Sequence, residues 1–244
     1  MSERDLEGLT AVITGAGSGV GRSVAMTLAE AGATPVLVGR TRDPLEETAS
    51  LVARFGSQSL VLPADVTDEA AIVEVFGQAA TELDGIDTAI LSAGIGRYGL
   101  VESYPIADWE ATIATNLTGP FLCAKAAIPH LRARGGGSII AISSGAGKQG
   151  YARLGAYSAS KFGLMGLMQG LAAEVADDGI KVSTVVPGSI ITPFGGRSVA
   201  EKREAMASDP GRKYLYPEDV AEAILFLLRQ PRHAWTQELN LWPF

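Results

Sequence analysis

Short apolar runs alternate with longer stretches of helical spacing along almost the whole chain. The runs lie at Ala11–Thr14, Pro35–Val38, Ser59–Leu62, Thr88–Leu91, Ser138–Ser143, Lys181–Val186 and Glu238–Leu241. The helical stretches lie at Arg22–Ala31, Pro44–Phe55, Glu69–Leu83, Asp108–Ala133, Tyr157–Ala176 and Pro217–Arg229. Strands that alternate with helices pair in parallel through right-handed crossovers. The runs are continuously apolar, as a sheet covered on both faces requires. The pattern therefore predicts an α/β fold with a parallel sheet. Gly32 and Gly179 mark helix exits. The 244 residues show no repeat, low-complexity tract or linker, so one α/β domain of 1–244 is expected. Only Thr192–Tyr216 breaks the rhythm. It holds Pro193, Gly195, Gly196, Pro210 and Gly211 around a polar, helix-compatible piece, Ser198–Ser208. It reads either as a substrate lid or as a solvated excursion.

Charge narrows the partners. With 27 acidic and 20 basic residues the formal net charge is −7. Phosphate backbones and anionic membrane surfaces need a basic face, so neither nucleic acid nor membrane is an expected partner. One cysteine, Cys123, leaves no internal disulfide, and it reads as a small buried apolar residue. Two distant histidines, His130 and His233, offer no metal-ligand pattern. The N-terminal stretch runs almost directly into a strand pattern without the apolar core of an export signal. No apolar run approaches the roughly 20 residues of a membrane span. A cytoplasmic protein is expected, and the acceptor pattern Asn116-Leu117-Thr118 is read as fortuitous.

Thr14-Gly15-Ala16-Gly17-Ser18-Gly19-Val20-Gly21 follows the first run and opens a helical stretch. A helix start offers unpaired N–H groups and a positive dipole end, and glycines let the backbone approach a pyrophosphate. The spacing is Gly15-x-x-x-Gly19-x-Gly21, not G-x-G-x-x-G, and by itself it also fits a bare strand-to-helix turn. About 20 residues on, NAD-binding sheets carry an acid that meets the ribose 2′-hydroxyl. Here the second run ends in Gly39-Arg40-Thr41-Arg42, with no carboxylate before Asp43. Arginine suits a 2′-phosphate, which a carboxylate would repel. NADP(H) is the expected cofactor, held chiefly by Arg40 beside Thr41, with Arg42 a solvated charge.

Tyr157-Ser158-Ala159-Ser160-Lys161 places a phenol and an ammonium on one helix face. Free tyrosine titrates at about 10, too high for ready proton exchange at neutral pH, and a neighbouring cation lowers that value. The overlapping Ser158-x-x-Lys161 pattern of serine acylases lacks its Ser-Asp-Asn and Lys-Thr-Gly companions. Ser143-Ser144 closes a strand at the sheet edge where ligands sit, and a hydroxyl there can steady a developing oxyanion. Asn116 lies within an apolar helical pattern. A buried amide there serves either a structural bond or a proton relay.

In order and spacing, Thr14-Gly15-x-x-x-Gly19-x-Gly21, Asp65-Val66, Ala93-Gly94, Asn116, Ser144, Tyr157-x-x-x-Lys161 and Pro187-Gly188 with Thr192 resemble the short-chain dehydrogenase/reductase family over essentially the whole chain. The resemblance implies a single doubly wound (Rossmann) domain with a seven-stranded parallel sheet, and a homotetramer or homodimer. It implies Tyr157 as acid/base, Ser144 orienting the carbonyl, and Lys161 binding the nicotinamide ribose. Asn116 would hold a water that links Lys161 to solvent. Gly15, Ser18, Gly19, Val20 and Gly21 would cradle the cofactor, with Ser92, Ala93, Gly94, Pro187 and Gly188 also along it. Asp65 and Val66 would meet the adenine, and Ile190 and Thr192 the carboxamide. Where the family often has Asn-Asn-Ala-Gly, this chain has Leu91-Ser92-Ala93-Gly94, which removes an amide near the adenosine ribose.

The expected activity is hydride transfer between NADP(H) and a ketone, aldehyde or secondary alcohol. A 3-oxoacyl thioester reductase is the narrower alternative. A nucleotide-binding redox sensor on the same fold is the alternative from another class. Ile95, Arg97, Tyr98, Gln149, Tyr151, Leu154 and Phe194 are the expected pocket positions. Arg97 is read as a surface arginine before an anion-binding one.

Overall fold

The computed structural model describes residues 5–209 and 211–244. Pro210, counted above in the irregular segment, lies outside the described residues, as do positions 1–4 of the N-terminal stretch. The strands are β1 (Thr10–Thr14), β2 (Thr34–Gly39), β3 (Leu60–Pro63), β4 (Thr88–Leu91), β5 (Gly137–Ile142), β6 (Ile180–Pro187) and β7 (Glu238–Leu241). The helices are α1 (Gly19–Glu30), α2 (Arg42–Val52), α3 (Glu69–Glu82), α4 (Ile106–Ile113), α5 (Gly119–Ala133), α6 (Gly155–Glu174), α7 (Val199–Ser208) and α8 (Pro217–Leu228).

The sheet order is β3-β2-β1-β4-β5-β6-β7, and every pairing is parallel. Adjacent strand residues point to opposite faces, and both faces are covered. Val12, Val36 and Ile139 enter the layer with α3, α5 and α6, where Ile72, Phe76, Leu131 and Leu164 pack. Their neighbours Ile13, Leu37 and Ile140 enter the layer with α1, α2 and α8, beside Leu28, Leu45 and Ile224. Each such side chain taken out of water contributes roughly 1.5–3 kcal/mol. The fold is a single doubly wound domain with seven parallel strands. Strand order reverses between β1 and β4, so a crevice opens beyond the carboxyl ends of these strands.

Two boundaries differ from the sequence expectation in ways that bear on the site. The helix expected at Asp108–Ala133 is α4 and α5, joined by a π-helical turn at Ala114–Thr118. Pro120 cannot donate a backbone hydrogen bond, so a regular α-helical ladder fails four residues upstream, at Asn116. Strand β5 ends at Ile142, not Ser143, so Ser143 and Ser144 belong to the loop beyond it. The irregular segment is pinned at its ends, where Ile191 N–H donates to the Leu215 carbonyl at 2.8 Å and Leu215 N–H to the Ser189 carbonyl at 2.8 Å. Between them stands α7, started by a Ser198/Glu201 capping box and burying none of its own residues.

Candidate active site

One cleft of about 1210 Å³ lies over the switch point. Gly15, Ser18, Gly19, Val20, Gly21, Arg40, Thr41, Asp65, Val66, Ser92, Ala93, Gly94, Ser144, Tyr157, Lys161, Pro187, Gly188, Ile190 and Thr192 all line it. Asn116 does not; it is fully buried behind the wall.

The glycine loop is shaped by close approach. Gly15 has φ +69°, and a Cβ there would stand 2.9 Å from the Ala93 Cα. A Cβ on Gly21 would stand 2.3 Å from the Gly15 carbonyl oxygen. Helix α1 starts at Gly19 inside the loop, three residues earlier than the apolar spacing suggested. Ser18 precedes it, and its hydroxyl makes no capping bond. The N–H groups of the first turn have no partner within the helix. This backbone cradle, which side chains would fill, fits a dinucleotide pyrophosphate.

At the end of β2, Arg42 is bonded to Glu46 at 3.0 Å, whereas among the described residues exposed Arg40 has no hydrogen-bond or ion-pair partner. Thr41 precedes α2, and its hydroxyl makes no capping bond either. Thr14 Oγ1 accepts from both Ser92 N–H and Ala93 N–H at 3.1 Å, tying β1 to the loop after β4.

Helix α6 carries Tyr157 and Lys161, both buried. Lys161 Nζ donates to the Ile142 carbonyl at 2.7 Å, fixing the ammonium at the end of β5, and lies 5.8 Å from the Tyr157 ring centre. Burial pushes the Tyr157 phenol up to about 12, with the Ser144 hydroxyl pulling the other way. Burial pushes Lys161 down to about 8. Proximity of the ammonium does not offset the desolvation of the phenol, contrary to the lowering expected from sequence. Ser144 is in extended backbone, and its Oγ accepts from Ala146 N–H at 3.2 Å.

The Asn116 amide is fully engaged. Its Oδ1 accepts from Ile95 N–H at 2.8 Å, and its Nδ2 donates to the Ile95 carbonyl at 2.8 Å and to Ser160 Oγ at 3.1 Å. Ser160 Oγ donates in turn to the Tyr157 carbonyl at 2.7 Å. The side chain therefore locks the loop after β4 against α6 and has no N–H left for a water.

Of the expected pocket positions, Ile95, Tyr98, Tyr151, Leu154 and Phe194 line the cleft, whereas Arg97 and Gln149 do not. Arg97 is turned outward to Asp108 by an ion pair. The Phe194 ring packs on the Tyr157 ring, centres 5.4 Å apart and tilted 58°. Sequence reasoning missed Trp242, which packs over Gly145 and Gly188. Its signal was its place just past the last strand, at the carboxyl edge of a parallel sheet. Ser160, inside the Tyr-x-x-x-Lys motif, was also missed.

A doubly wound sheet with a glycine cradle at its switch point and a buried phenol–ammonium pair defines a dinucleotide-binding oxidoreductase. The model of the short chain dehydrogenases matches residues 9–203, and the chain belongs to that family. It is 37% identical over 219 residues to cis-4-hydroxycyclohexanecarboxylate dehydrogenase of Sinomonas cyclohexanicum, covering 89% of this chain and 88% of that protein. It is 36% identical to glycine betaine reductase of Emericella nidulans over 98% of its own length, but spans only 19% of that larger protein. The alcohol dehydrogenase of Thermococcus sibiricus, solved with 5-hydroxy-NADP, superposes with a TM-score of 0.87 at 26% identity, covering 96% of this chain and 95% of that one.

Proposed function

We propose that the protein is an NADP(H)-dependent oxidoreductase acting on a ketone, an aldehyde or a secondary alcohol, with Tyr157 as general acid and base. The observation that carries this reading is the burial of the Tyr157 phenol and the Lys161 ammonium on one face of α6, at the carboxyl edge of β4–β6, with Ser144 beside them.

NADP(H), when bound, supplies or accepts the hydride. The chain does the rest. The first turn of α1 and Ser18 hold the pyrophosphate, and Arg40 with Thr41 reads the 2′-phosphate at the positive end of α2. Ser144 donates a hydrogen bond to the substrate oxygen, and Tyr157 gives that oxygen its proton in reduction and removes it in oxidation. Lys161 holds the ribose. Asn116 positions the loop after β4, and a relay water at this residue would bond its backbone carbonyl, which Pro120 deprives of a regular helical partner. The segment 192–216 acts as the lid, hinged where Ile190 meets Leu215.

Tyr98, Tyr151, Phe194 and Trp242 give the substrate end aromatic walls that suit a medium-sized or cyclic carbonyl compound. The Sinomonas relative is named for oxidation of a ring alcohol, in line with this. A thioester reductase that uses Arg97 for an acidic carrier is disfavoured, because Arg97 is paired with Asp108. A nucleotide-binding redox sensor on the same fold is disfavoured because the chain keeps Asn116, Ser144, Tyr157 and Lys161 together, a set that sensing by nucleotide binding alone does not need.

Two measurements test the proposal. Tyr157→Phe should lower kcat for ketone reduction by at least about 100-fold, the usual worth of a general acid; parent-like turnover would refute the mechanism. Arg40→Asp should reverse the cofactor preference, with kcat/KM for NADPH falling roughly 10- to 100-fold and that for NADH holding or rising. An NADH preference in the parent would refute the NADP(H) reading.

A further inference from the structure

The cleft and the chain differ in charge. The whole chain has 20 basic and 27 acidic residues, yet the residues lining the cleft include seven basic ones and one acidic one, Asp65. Arg40 and Lys161 are accounted for by the cofactor and the phenol. Lys202 donates to the carbonyls of Ile190 at 3.2 Å and Phe194 at 2.9 Å, so it anchors the segment after β6. Lys213 stands 5.2 Å over the Phe244 ring. That leaves Arg153, Arg197 and Arg212. All three are exposed, and among the described residues none of their side chains has a hydrogen-bond or ion-pair partner.

Arg153 stands apart from the other two. Its φ is +67°, in the left-handed region that disfavours residues with a Cβ. The loop after β4 holds it there, for its carbonyl accepts from Gly99 N–H at 3.0 Å and Leu154 bridges to Gly99. A backbone held in the left-handed region by this contact, four residues before Tyr157, sets Arg153 in the cleft lining beside Tyr151 and Leu154. Arg197 and Arg212 stand on the segment after β6. The same lining holds the aromatic walls and Ser144.

We infer that the substrate is a carbonyl or hydroxy compound carrying a carboxylate, with Arg153 as its anchor. This rests on the oxidoreductase reading above and specifies its substrate class. Arginine's fork matches a carboxylate, and the aromatic walls hold the hydrocarbon between the two ends of the molecule. In reduction the carbonyl carbon gains the hydride of NADPH and the oxygen gains the Tyr157 proton. The carboxylate is unchanged, so the products are a hydroxy acid and NADP⁺.

The test uses the full chain and two ketones matched except in charge, 4-oxocyclohexanecarboxylate and its methyl ester. The parent should favour the acid in kcat/KM by about tenfold or more, mainly through KM. Arg153→Gly, which suits the left-handed backbone, should remove most of that preference, and Arg153→Lys should restore part of it. Equal use of acid and ester by the parent would overturn the inference. So would an Arg153→Gly variant whose loss falls on the KM for NADPH with the acid-to-ester ratio intact, because the arginine would then serve the cofactor. Calorimetry with unreactive cyclohexanecarboxylate and its amide, NADP⁺ present, reads the same contact without turnover. Preferential carboxylate binding, lost in Arg153→Gly, supports the inference even if no ketone is reduced, in which case the oxidoreductase reading fails by itself. Equal binding of the two probes refutes the inference while leaving turnover of neutral ketones to uphold that reading.

Discussion

Burial acts in opposite senses on the two ionisable groups of the Tyr157–Lys161 pair, holding the phenol neutral up to about 12 and releasing the ammonium proton at about 8. A neutral phenol is ready to donate at neutral pH, so reduction should be flat with pH below about 8 and decline above it as Lys161 loses charge. Alcohol oxidation needs the phenolate and should rise with pH from about 6 to about 8, above which the loss of the Lys161 charge opposes the gain. A pH-independent oxidation rate over that range would contradict the assignment. The same shifts act on stability. Between about 8 and 10.5 the unfolded chain binds the Lys161 proton more tightly than the folded one, so this group makes stability rise with pH there. Denaturation of Lys161→Met at pH 7 and pH 9.5 should show that part of the slope gone. For Tyr157 the sign reverses: between 10 and about 12 the folded state binds the proton more tightly, and its contribution declines as pH rises. The residue types and the i,i+4 spacing were legible in the chain; the desolvation was not, because it depends on what packs around the pair.

At the scale of elements, the α4–π–α5 run and the segment after β6 meet at the loop that follows β4. Asn116 holds that loop from behind, and Phe194 covers it from the front. A Cβ on Gly96 would stand 2.5 Å from the Phe194 ring, so Gly96→Ala must displace the ring from both the loop and Tyr157. Ketone kcat/KM should fall by about tenfold, as displacement of a substrate-facing group by a fraction of a bond length permits, with the fold intact by circular dichroism. Unchanged kinetics would show that the Phe194 contact has no part in substrate positioning. The sequence carried a trace of the interrupted helix in Gly119-Pro120, but apolar spacing alone ran straight through it. The wider π turn is chosen by the buried amide it must aim at Ile95 and Ser160.

On the scale of the whole molecule, the layer formed by α3, α5 and α6 buries its inner face and leaves Phe121 and Phe162 each 47% exposed on the outer side of α5 and α6. Large apolar groups on neighbouring helices suit a contact with a second copy of the chain. The 25.4 kDa chain should therefore run in light scattering at two or four times its own mass, and Phe162→Glu should lower that mass. A monomeric parent would rule out the homo-oligomer.

What the sequence determined by itself was the α/β class, the seven strands to within one residue at each end, and the residue types of the site, because apolar periodicity and motif spacing are local properties of a chain. It also supplied Arg40, whose place at the end of β2 follows from strand order alone. Tertiary structure decided which of those residues share one cleft, that Asn116 stands behind it, and that Arg97 is turned away to Asp108. It also brought Arg153, Arg197, Arg212 and Trp242, distant in the chain, to the rim and walls. The reason is physical: a parallel sheet gathers the carboxyl ends of all its strands on one edge, so the charge and shape of that edge are sums over segments that no local window contains.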